Sequence, residues 1–224
     1  MIHGAVEHFR EGGFWMWPIL ICLIVTLTIS AERFYFLWFV TNENKDGLLK
    51  GLNNQVLRGD LQGAVRFLNS QRPGPLARIL KSGLLKVHRP DLEVQAALDE
   101  ASLREVPHLE KRTGYLVVLS NGATLLGLLG TIIGMIKSFG AVASADPASK
   151  ATMLALGISE AMNCTAFGLI TAIPALFLYA VCQSRTQHLI DGINESVVTE
   201  MNLVLSNRAK LRGQAMELEG GNAA

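Results

Sequence analysis

Three polar side chains lie in or beside apolar stretches of the chain, and their chemistry could involve a proton. Thr131 and Thr165 each stand inside an uncharged stretch, and Glu160 is the acidic residue nearest to the second of these stretches. Hydroxyl groups can hold water or pass a proton, and an ionisable group at membrane depth is a functional candidate because its charge is costly to bury. The five histidines form no H-x-x-x-H pair, and there is no phosphate-binding loop or nucleophile elbow, so the sequence predicts a protein that is not an enzyme.

Three uncharged stretches are long enough to cross a membrane as helices, namely residues 14–31, 113–136 and 161–184. A bilayer core of about 30 Å needs about 20 apolar residues of helix, and a lone strand would leave its backbone groups unpaired in lipid. Half of the residues are hydrophobic, and the net charge of +1 gives no electrostatic support for nucleic-acid binding. The sequence therefore predicts an all-α integral membrane protein with three transmembrane helices and a helical cytoplasmic domain.

The basic residues predict which parts of the chain lie on which side of the membrane. The segment 41–112 contains 12 of the 20 Lys and Arg residues, whereas the link between the second and third spans contains only Lys137 and Lys150. By the positive-inside rule, the segment 41–112 and the C-terminal tail are cytoplasmic and the N-terminus is periplasmic. A cleaved signal peptide is the alternative for the first span, but Glu7 and Glu11 precede it and no small-x-small site follows it.

The expected organisation has five parts. They are an N-terminal segment with the first span (1–40), a cytoplasmic helical domain (41–112), the second span (113–145), a short periplasmic link with the third span (146–184), and a cytoplasmic C-terminal helix and tail (185–224). A helical run from Leu92 to Leu109 leads towards the second span, and Pro107 predicts a kink or a break in it.

On an ideal helix, each of the last two spans gathers its small and hydroxyl-bearing residues on one face, within an arc of about 120° to 140°. In the second span these include Thr124, Gly127, Gly130, Thr131 and Gly134, and in the third span Glu160, Thr165, Gly168, Thr171, Ala172 and Ala175. Small residues let helices approach closely in lipid, so the glycines and alanines predict a helix-packing contact. The four threonines predict an ion pathway along a shared lumen, and for Thr131 and Thr165 the alternative is that each hydroxyl bonds the carbonyl four residues earlier.

Thr131 and Thr165 are expected at the same depth in the membrane. Thr131 follows Arg112 by 19 residues and Thr165 stands 20 residues before the next basic residue, so each lies roughly 28–30 Å from the cytoplasmic charges along antiparallel helices. Glu160 lies about one and a half turns further out, where it is either part of the ion pathway or an interfacial carboxylate paired with Lys150. No span contains Asp, Glu, Lys or His at its centre. A titrating carboxylate for proton transport would therefore come from a partner.

Two motifs and a residue pair resemble the MotA/TolQ/ExbB proton channel family. Residues 126–135, LGLLGTIIGM, resemble the LGLLGTVxGM core of TolQ and ExbB second helices. Residues 158–175 resemble the third-helix signature IxEAL…TAxGLxxAIPA, and Glu32-Arg33 matches the family's ER pair at the end of the first span. Thr124 departs from the proline that many members have there, and the three-span count favours the TolQ/ExbB branch over the four-span MotA branch.

The resemblance implies a homopentamer in the bacterial inner membrane, with protons as the coupling ion and no other cofactor. It also implies a dimer of an ExbD/TolR-like single-span partner in the central pore, whose Asp carries the proton. A TonB/TolA-like or gliding adaptor protein would receive the force. Thr131 and Thr165 take the positions of the family's pore threonines, and Glu160 takes that of its third-helix glutamate.

The leading hypothesis is the pore-forming subunit of a proton-driven motor that works on the cell envelope, in TonB-type import, Tol-type envelope maintenance or gliding motility. One alternative is a non-conducting membrane scaffold for an envelope complex. Another is a sodium-driven motor subunit, in which the threonine hydroxyls help to bind the ion. The sequence contains no motif that distinguishes the three processes.

Overall fold

The computed structural model describes residues 13–41, 45–71, 74–143 and 145–207, and these residues form helices and no strand. In chain order the helices are α1 (Met16–Tyr35, continued by a π-helical turn at Phe36–Val40), α2 (Lys45–Arg58), α3 (Leu61–Ser70), α4 (Pro75–Leu85), α5 (Asp91–Glu110), α6 (Tyr115–Ala143) and α7 (Lys150–Ser206). The start of the predicted N-terminal segment and the end of the predicted tail, residues 1–12 and 208–224, lie outside the described residues.

Three helical stretches of the described residues are long and apolar enough to cross a membrane, and they lie within Met16–Arg58, Asp91–Ala143 and Lys150–Ser206. Their apolar parts belong to α1, α6 and the first part of α7. A helix pairs its backbone N–H and C=O groups within the segment itself, which lipid requires. The prediction of an all-α integral membrane protein with three transmembrane helices is confirmed.

The chain divides into two compact units. The first, here called the membrane unit, consists of the described parts of residues 1–34 and 112–183, and it contains α1, α6 and the first part of α7. The second unit consists of the described parts of residues 35–111 and 184–224, and it contains α2 to α5 and the end of α7.

In the membrane unit, α6 and α7 touch through their backbones along a face of small residues, here called the seam. The buried residues of α6 at the seam are Ser120, Ala123, Gly127, Gly130, Gly134 and Ser138, and those of α7 include Ala161, Cys164, Gly168, Thr171, Ala172 and Ala175. The approach is tight at Gly168, where an added Cβ atom would lie 2.8 Å from the carbonyl oxygen of Ala123. A side chain there would push the helices apart, so the approach depends on glycine.

A hydrogen bond and a second glycine fix how the two helices lie along each other. Ser120 donates through its hydroxyl to the carbonyl of Ala172 at 2.8 Å, and an added Cβ on Gly127 would lie 3.1 Å from the carbonyl oxygen of Cys164. Side-chain hydrogen bonds between transmembrane helices contribute about 0.6 kcal/mol on average.

The second unit has an aliphatic core of the kind that helical periodicity predicts. Leu52 and Val56 of α2 and Ile79 of α4 are fully buried in it. Asp60 caps the start of α3, because its carboxylate accepts a hydrogen bond from the backbone N–H of Gly63 at 2.7 Å. Pro75 begins α4, at a helix position where its missing N–H is not needed.

The break predicted at Pro107 falls a few residues later in the structure. Pro107 stands inside the last turns of α5, which continues to Glu110. The chain then turns at residues 111–114, where Arg112 adopts the left-handed conformation with φ of 65°. A proline removes one backbone hydrogen bond, and a helix that ends one turn later tolerates that loss better than a longer helix would.

The seam predicts how two glycine substitutions differ. Gly168→Ala should lower the free energy of unfolding by about 1–3 kcal/mol, because the new methyl group meets backbone that cannot move aside without separating the helices. Gly140→Ala is the matched control, since nothing lies within 4 Å of an added Cβ there. It should be neutral, or stabilising by up to about 1 kcal/mol through helix propensity. Unfolding by sodium dodecyl sulfate in mixed micelles measures both, and equal stability of the two variants would contradict the described packing.

Candidate functional site

The hydroxyls of Thr131 and Thr165 meet across the seam, with their Oγ1 atoms 2.8 Å apart. The carbonyl of Gly127 accepts hydrogen bonds from both hydroxyls, at 3.1 Å from each, and Thr131 also lies 2.8 Å from the carbonyl oxygen of Leu128. The two threonines therefore share one depth, on helices that carry no charge between residues 113 and 136 or between 161 and 184.

The interpretation of a bond to the carbonyl four residues earlier applies to Thr131, whereas Thr165 bonds the facing helix, and the ion pathway stays a prediction. Thr131 bonds the carbonyl four residues earlier in its own helix, and it also contacts Thr165. Each hydroxyl has one proton to donate, so the two protons serve four close oxygen–oxygen contacts. The pair can exchange donor and acceptor roles, and each hydroxyl keeps the capacity to turn its proton towards another acceptor.

The threonine pair is not sealed within the seam. Thr131 and Thr165 are both half-buried, whereas their glycine neighbours Gly127, Gly130 and Gly168 are buried. Thr131 also lines an open groove on the surface of α6, together with large apolar side chains such as Ile132 and Phe139. A group that approaches this face of the membrane unit can therefore reach the Thr131 hydroxyl.

Glu160 lies on α7 about one and a half turns from Thr165 and is half-buried. It lines an open cavity of about 460 Å³ with Lys137, Ser138 and Ser159. Ser138 is 5% exposed, and its hydroxyl has no hydrogen-bond partner among the described residues. Among the described residues, Glu160 and Lys150 do not form an ion pair. This pair is the alternative role that the sequence analysis gives to Glu160.

Gly13 packs against the carboxylate of Glu160. Its φ is +68°, in the left-handed region, and an added Cβ would collide with Glu160 Oε1. A backbone in this conformation next to the carboxylate requires glycine on both counts. Sequence inspection gave Gly13 no role, since a glycine before the first span shows no periodic signal.

Thr124 and Thr171, the other two threonines predicted for the ion pathway, do not join the pair. Thr124 is exposed and donates to the carbonyl of Ser120 at 3.1 Å, while Thr171 is 1% exposed and donates to the carbonyl of Phe167 at 3.0 Å. Both bond their own helix four residues back, as Thr hydroxyls in helices commonly do, and their part in an ion pathway stays a prediction.

The six predicted packing residues all lie at the seam. Gly127, Gly130, Gly134, Gly168, Ala172 and Ala175 are buried. Added Cβ atoms on Gly130 and Gly134 would lie 2.8 Å from the Cβ of Cys164 and 3.1 Å from the Cβ of Ala161. These positions hold α6 and α7 close enough for the two threonines to touch.

An ion pair in the membrane unit joins α1 to the turn before α6. The carboxylate of Glu32 accepts from Arg112 at 2.6 Å through both oxygens, and Arg33 lies 3.5 Å from the same carboxylate. Glu32 and Arg112 are both exposed, so water screens their attraction and the pair contributes little to stability. The sequence indicated Glu32 and Arg33 as a pair, but it could not show that Arg112, 80 residues away, completes the contact.

Comparison with known proteins gives consistent results. A sequence profile of the MotA/TolQ/ExbB proton channel family matches residues 71–195, more than half of the chain. A putative ExbB-like biopolymer transport protein of Synechocystis is 28% identical over 201 residues, which are 89% of this chain and 78% of that protein. The Tol-Pal system protein TolQ of Haemophilus influenzae is 30% identical over 171 residues, which are 73% of this chain and 71% of that protein.

A solved structure also has a similar fold. The structure of MotAB from C. jejuni superposes with a TM-score of 0.58 and 14% sequence identity, covering 90% of this chain and 78% of that chain. At this identity the similarity concerns the fold.

The threonine contact predicts an energetic coupling between two helices. In a double-mutant cycle, Thr131→Val and Thr165→Val should show an interaction energy of about 0.6–1.7 kcal/mol, the range for hydrogen bonds between transmembrane helices. Thr28→Val is the matched control, because Thr28 is exposed and donates to its own helix at Ile24. Combined with Thr165→Val it should give no coupling in the same unfolding assay. Additive effects of the Thr131 and Thr165 substitutions would show that the two hydroxyls do not interact.

Proposed function

The chain belongs to the MotA/TolQ/ExbB proton channel family, and we propose that it is the pore-forming subunit of a proton-driven motor that couples proton flow to mechanical work on the cell envelope. The observation that supports this role is the contact between the Thr131 and Thr165 hydroxyls, 2.8 Å apart in an uncharged zone of the membrane unit. Two half-buried hydroxyls at one depth provide hydrogen-bond donors in an otherwise apolar zone, and a mobile charge can bind to them. This depth is here called the polar level.

The charge that uses this level is a carboxylate from a single-span partner of the ExbD, TolR or MotB kind. An Asp at the centre of a transmembrane helix costs about 2.5–3.5 kcal/mol on insertion scales. Hydrogen bonds to a charged group contribute about 1.5–3 kcal/mol each. Two threonine donors are therefore enough to offset most of the cost of the ionised form, whereas the protonated form passes the apolar residues of the spans without them.

The threonines can make these bonds without leaving a carbonyl unpaired. When Thr131 and Thr165 turn their protons towards a carboxylate, the carbonyls of Gly127 and Leu128 keep the backbone hydrogen bonds of α6. Turning back restores the contacts with these carbonyls. The pair therefore has two arrangements of similar energy, and the protonation of the partner selects between them.

The cavity that contains Glu160 is the proposed route between this polar level and one membrane surface. It is lined by Glu160 and Ser138. Ser138 is further from Arg112 along the chain than Thr131 is, and Glu160 precedes Thr165 on the antiparallel α7, so both lie on the side of the threonine pair away from Arg112. Water that enters it would place a proton source about one and a half turns from Thr165. The distribution of basic residues supports a periplasmic position for this side of the membrane unit and a cytoplasmic position for the second unit.

The proposed assembly is a homopentamer in the inner membrane around a dimer of the single-span partner. Exposed apolar side chains such as Leu125, Ile136, Ile170 and Phe177 provide surface on α6 and α7 for lipid and neighbouring subunits. A TonB- or TolA-like protein or a gliding adaptor would receive the force. A neighbouring gene for a short single-span protein with an intramembrane Asp would support the motor, and purification with native partners would identify the process.

A non-conducting scaffold is the second candidate. It is favoured by the bonds from Thr131 to the Gly127 and Leu128 carbonyls, which are those of a structural threonine. In a scaffold the hydroxyls would serve helix packing alone, and neither a partner carboxylate nor a proton gradient would be needed.

Removal of both hydroxyls distinguishes the motor hypothesis from the scaffold hypothesis. Thr131→Val with Thr165→Val should abolish proton-driven work, while the complex with its partners still assembles, because valine keeps the shape of threonine and loses the donor. Proton uptake into proteoliposomes that contain the co-purified complex measures conduction, and native mass spectrometry measures assembly. Thr28→Val should conduct like the wild type. Unchanged conduction in the double variant would refute the role of the pair.

The coupling ion is tested by replacement. The four oxygens of Thr131, Thr165, Gly127 and Leu128 are ligands of the type that Na⁺ also accepts, so sodium coupling is the alternative for the same site. We expect conduction to persist when Na⁺ is replaced by K⁺ and to stop when a protonophore removes the pH gradient. Conduction that needs Na⁺ and ignores the pH gradient would assign the site to sodium.

A further inference from the structure

Glu200 is a buried carboxyl group without a partner in the second unit. It lies near the end of α7 and is 2% exposed, and neither of its side-chain oxygens has a hydrogen-bond partner among the described residues. A carboxyl group in this position is unusual, because buried polar groups in proteins are almost always hydrogen-bonded and buried charges are paired.

The surroundings of Glu200 are apolar on every side. Its side chain lines a small space together with Leu52 of α2, Leu80 and Leu84 of α4, and Leu98 of α5. The volume open to the centre of a water molecule is about 10 Å³. A single water needs about this much room but also two or more polar partners, and Glu200 is the only polar side chain that lines the space.

The charged side chains of the packed helices do not line this space. They are Lys45, Asp46, Lys50 and Arg58 of α2, Arg78 and Lys81 of α4, Asp91, Glu93, Asp99, Glu100, Arg104, Glu105, His108 and Glu110 of α5, and Arg185, His188, Asp191 and Glu195 of α7. The ammonium group of Lys45 packs against Gly192, about two turns before Glu200 on α7. Among the described residues, therefore, no cation lines this space to compensate an ionised Glu200.

We propose that Glu200 is a pH-responsive switch of the second unit, in which a proton on its carboxyl group keeps the end of α7 packed on α2, α4 and α5, and loss of the proton opens this packing to water. Water is the only remaining source of stabilisation for the charge, and it reaches the carboxylate only when α7 moves away from the leucines. With the orientation of the proposed function, the switch would respond to cytoplasmic pH.

The direction of the pH effect follows from burial. Burial raises the pKa of Glu200 to about 7, whereas a carboxyl group in the opened state keeps its ordinary pKa near 4.5. The packed state therefore binds the proton more tightly. Its stability relative to the opened state is greatest at acid pH, falls as the pH rises between these two values, and is constant above them.

Hydrogen exchange of the full chain in lipid nanodiscs tests the switch. After correction for intrinsic exchange, protection of residues 80–98 and 197–207 should fall on the order of tenfold to a hundredfold between pH 5 and pH 8. Glu200→Gln should remove this dependence and keep protection high, because the amide cannot ionise. Glu195→Gln, an exposed glutamate on the same helix, should behave like the wild type. Constant protection in the wild type, or an unchanged pH dependence in Glu200→Gln, would overturn the proposal.

A second measurement does not depend on how well the glutamine packs. Infrared difference spectra should contain a carbonyl band of a protonated carboxyl group that disappears as the pH rises through neutrality and is absent from Glu200→Gln. Its absence from the wild type would also overturn the proposal. Neither experiment uses conduction, so the switch and the proposed motor can fail independently.

Discussion

The backbone contact between α6 and α7 is the constraint on which the candidate site depends. Gly127 and Gly168 remove the side chains that would hold the helices apart, and the Cβ position of Gly168 already lies 2.8 Å from a carbonyl oxygen of α6. At this separation the short threonine side chains reach across the seam, and the carbonyl of Gly127 becomes a common acceptor for both. Larger residues at the seam would leave two unrelated threonines, each bonded to its own helix.

The polar groups of the two units illustrate opposite solutions to burial. In the membrane unit, the Thr131 and Thr165 hydroxyls have more acceptors within reach than protons to donate, and both remain accessible. They can therefore turn towards a charge without a large change in structure. In the second unit, Glu200 has no hydrogen-bond partner among the described residues, and in the proposed switch it carries a charge only when the packing around it changes. The arrangement of the threonines suits repeated binding and release of a charge, whereas the arrangement of Glu200 suits a change of packing at a threshold pH.

The sequence predicted those features that periodicity and charge encode. The three spans, the small faces and the matched depth of Thr131 and Thr165 follow from uncharged length and helical spacing alone. What it could not predict depends on contacts between distant residues, such as Glu32 with Arg112, or on which of several equivalent threonines meets a neighbour. Glu200 falls on the buried helical spacing of Ile193, Val197 and Val204, so the periodicity of this segment is sufficient to predict a buried carboxyl group there.

The proposed function depends on the threonine pair donating hydrogen bonds to an ionised carboxylate of the partner. The most direct measurement is a high-resolution structure of the complex assembled with its single-span partner, at a pH where the partner's carboxyl group is ionised. The account predicts that in at least one subunit this carboxylate lies within hydrogen-bond distance of Thr131 or Thr165. A structure in which both threonines of every subunit face lipid, and the carboxylate contacts other groups, would contradict it.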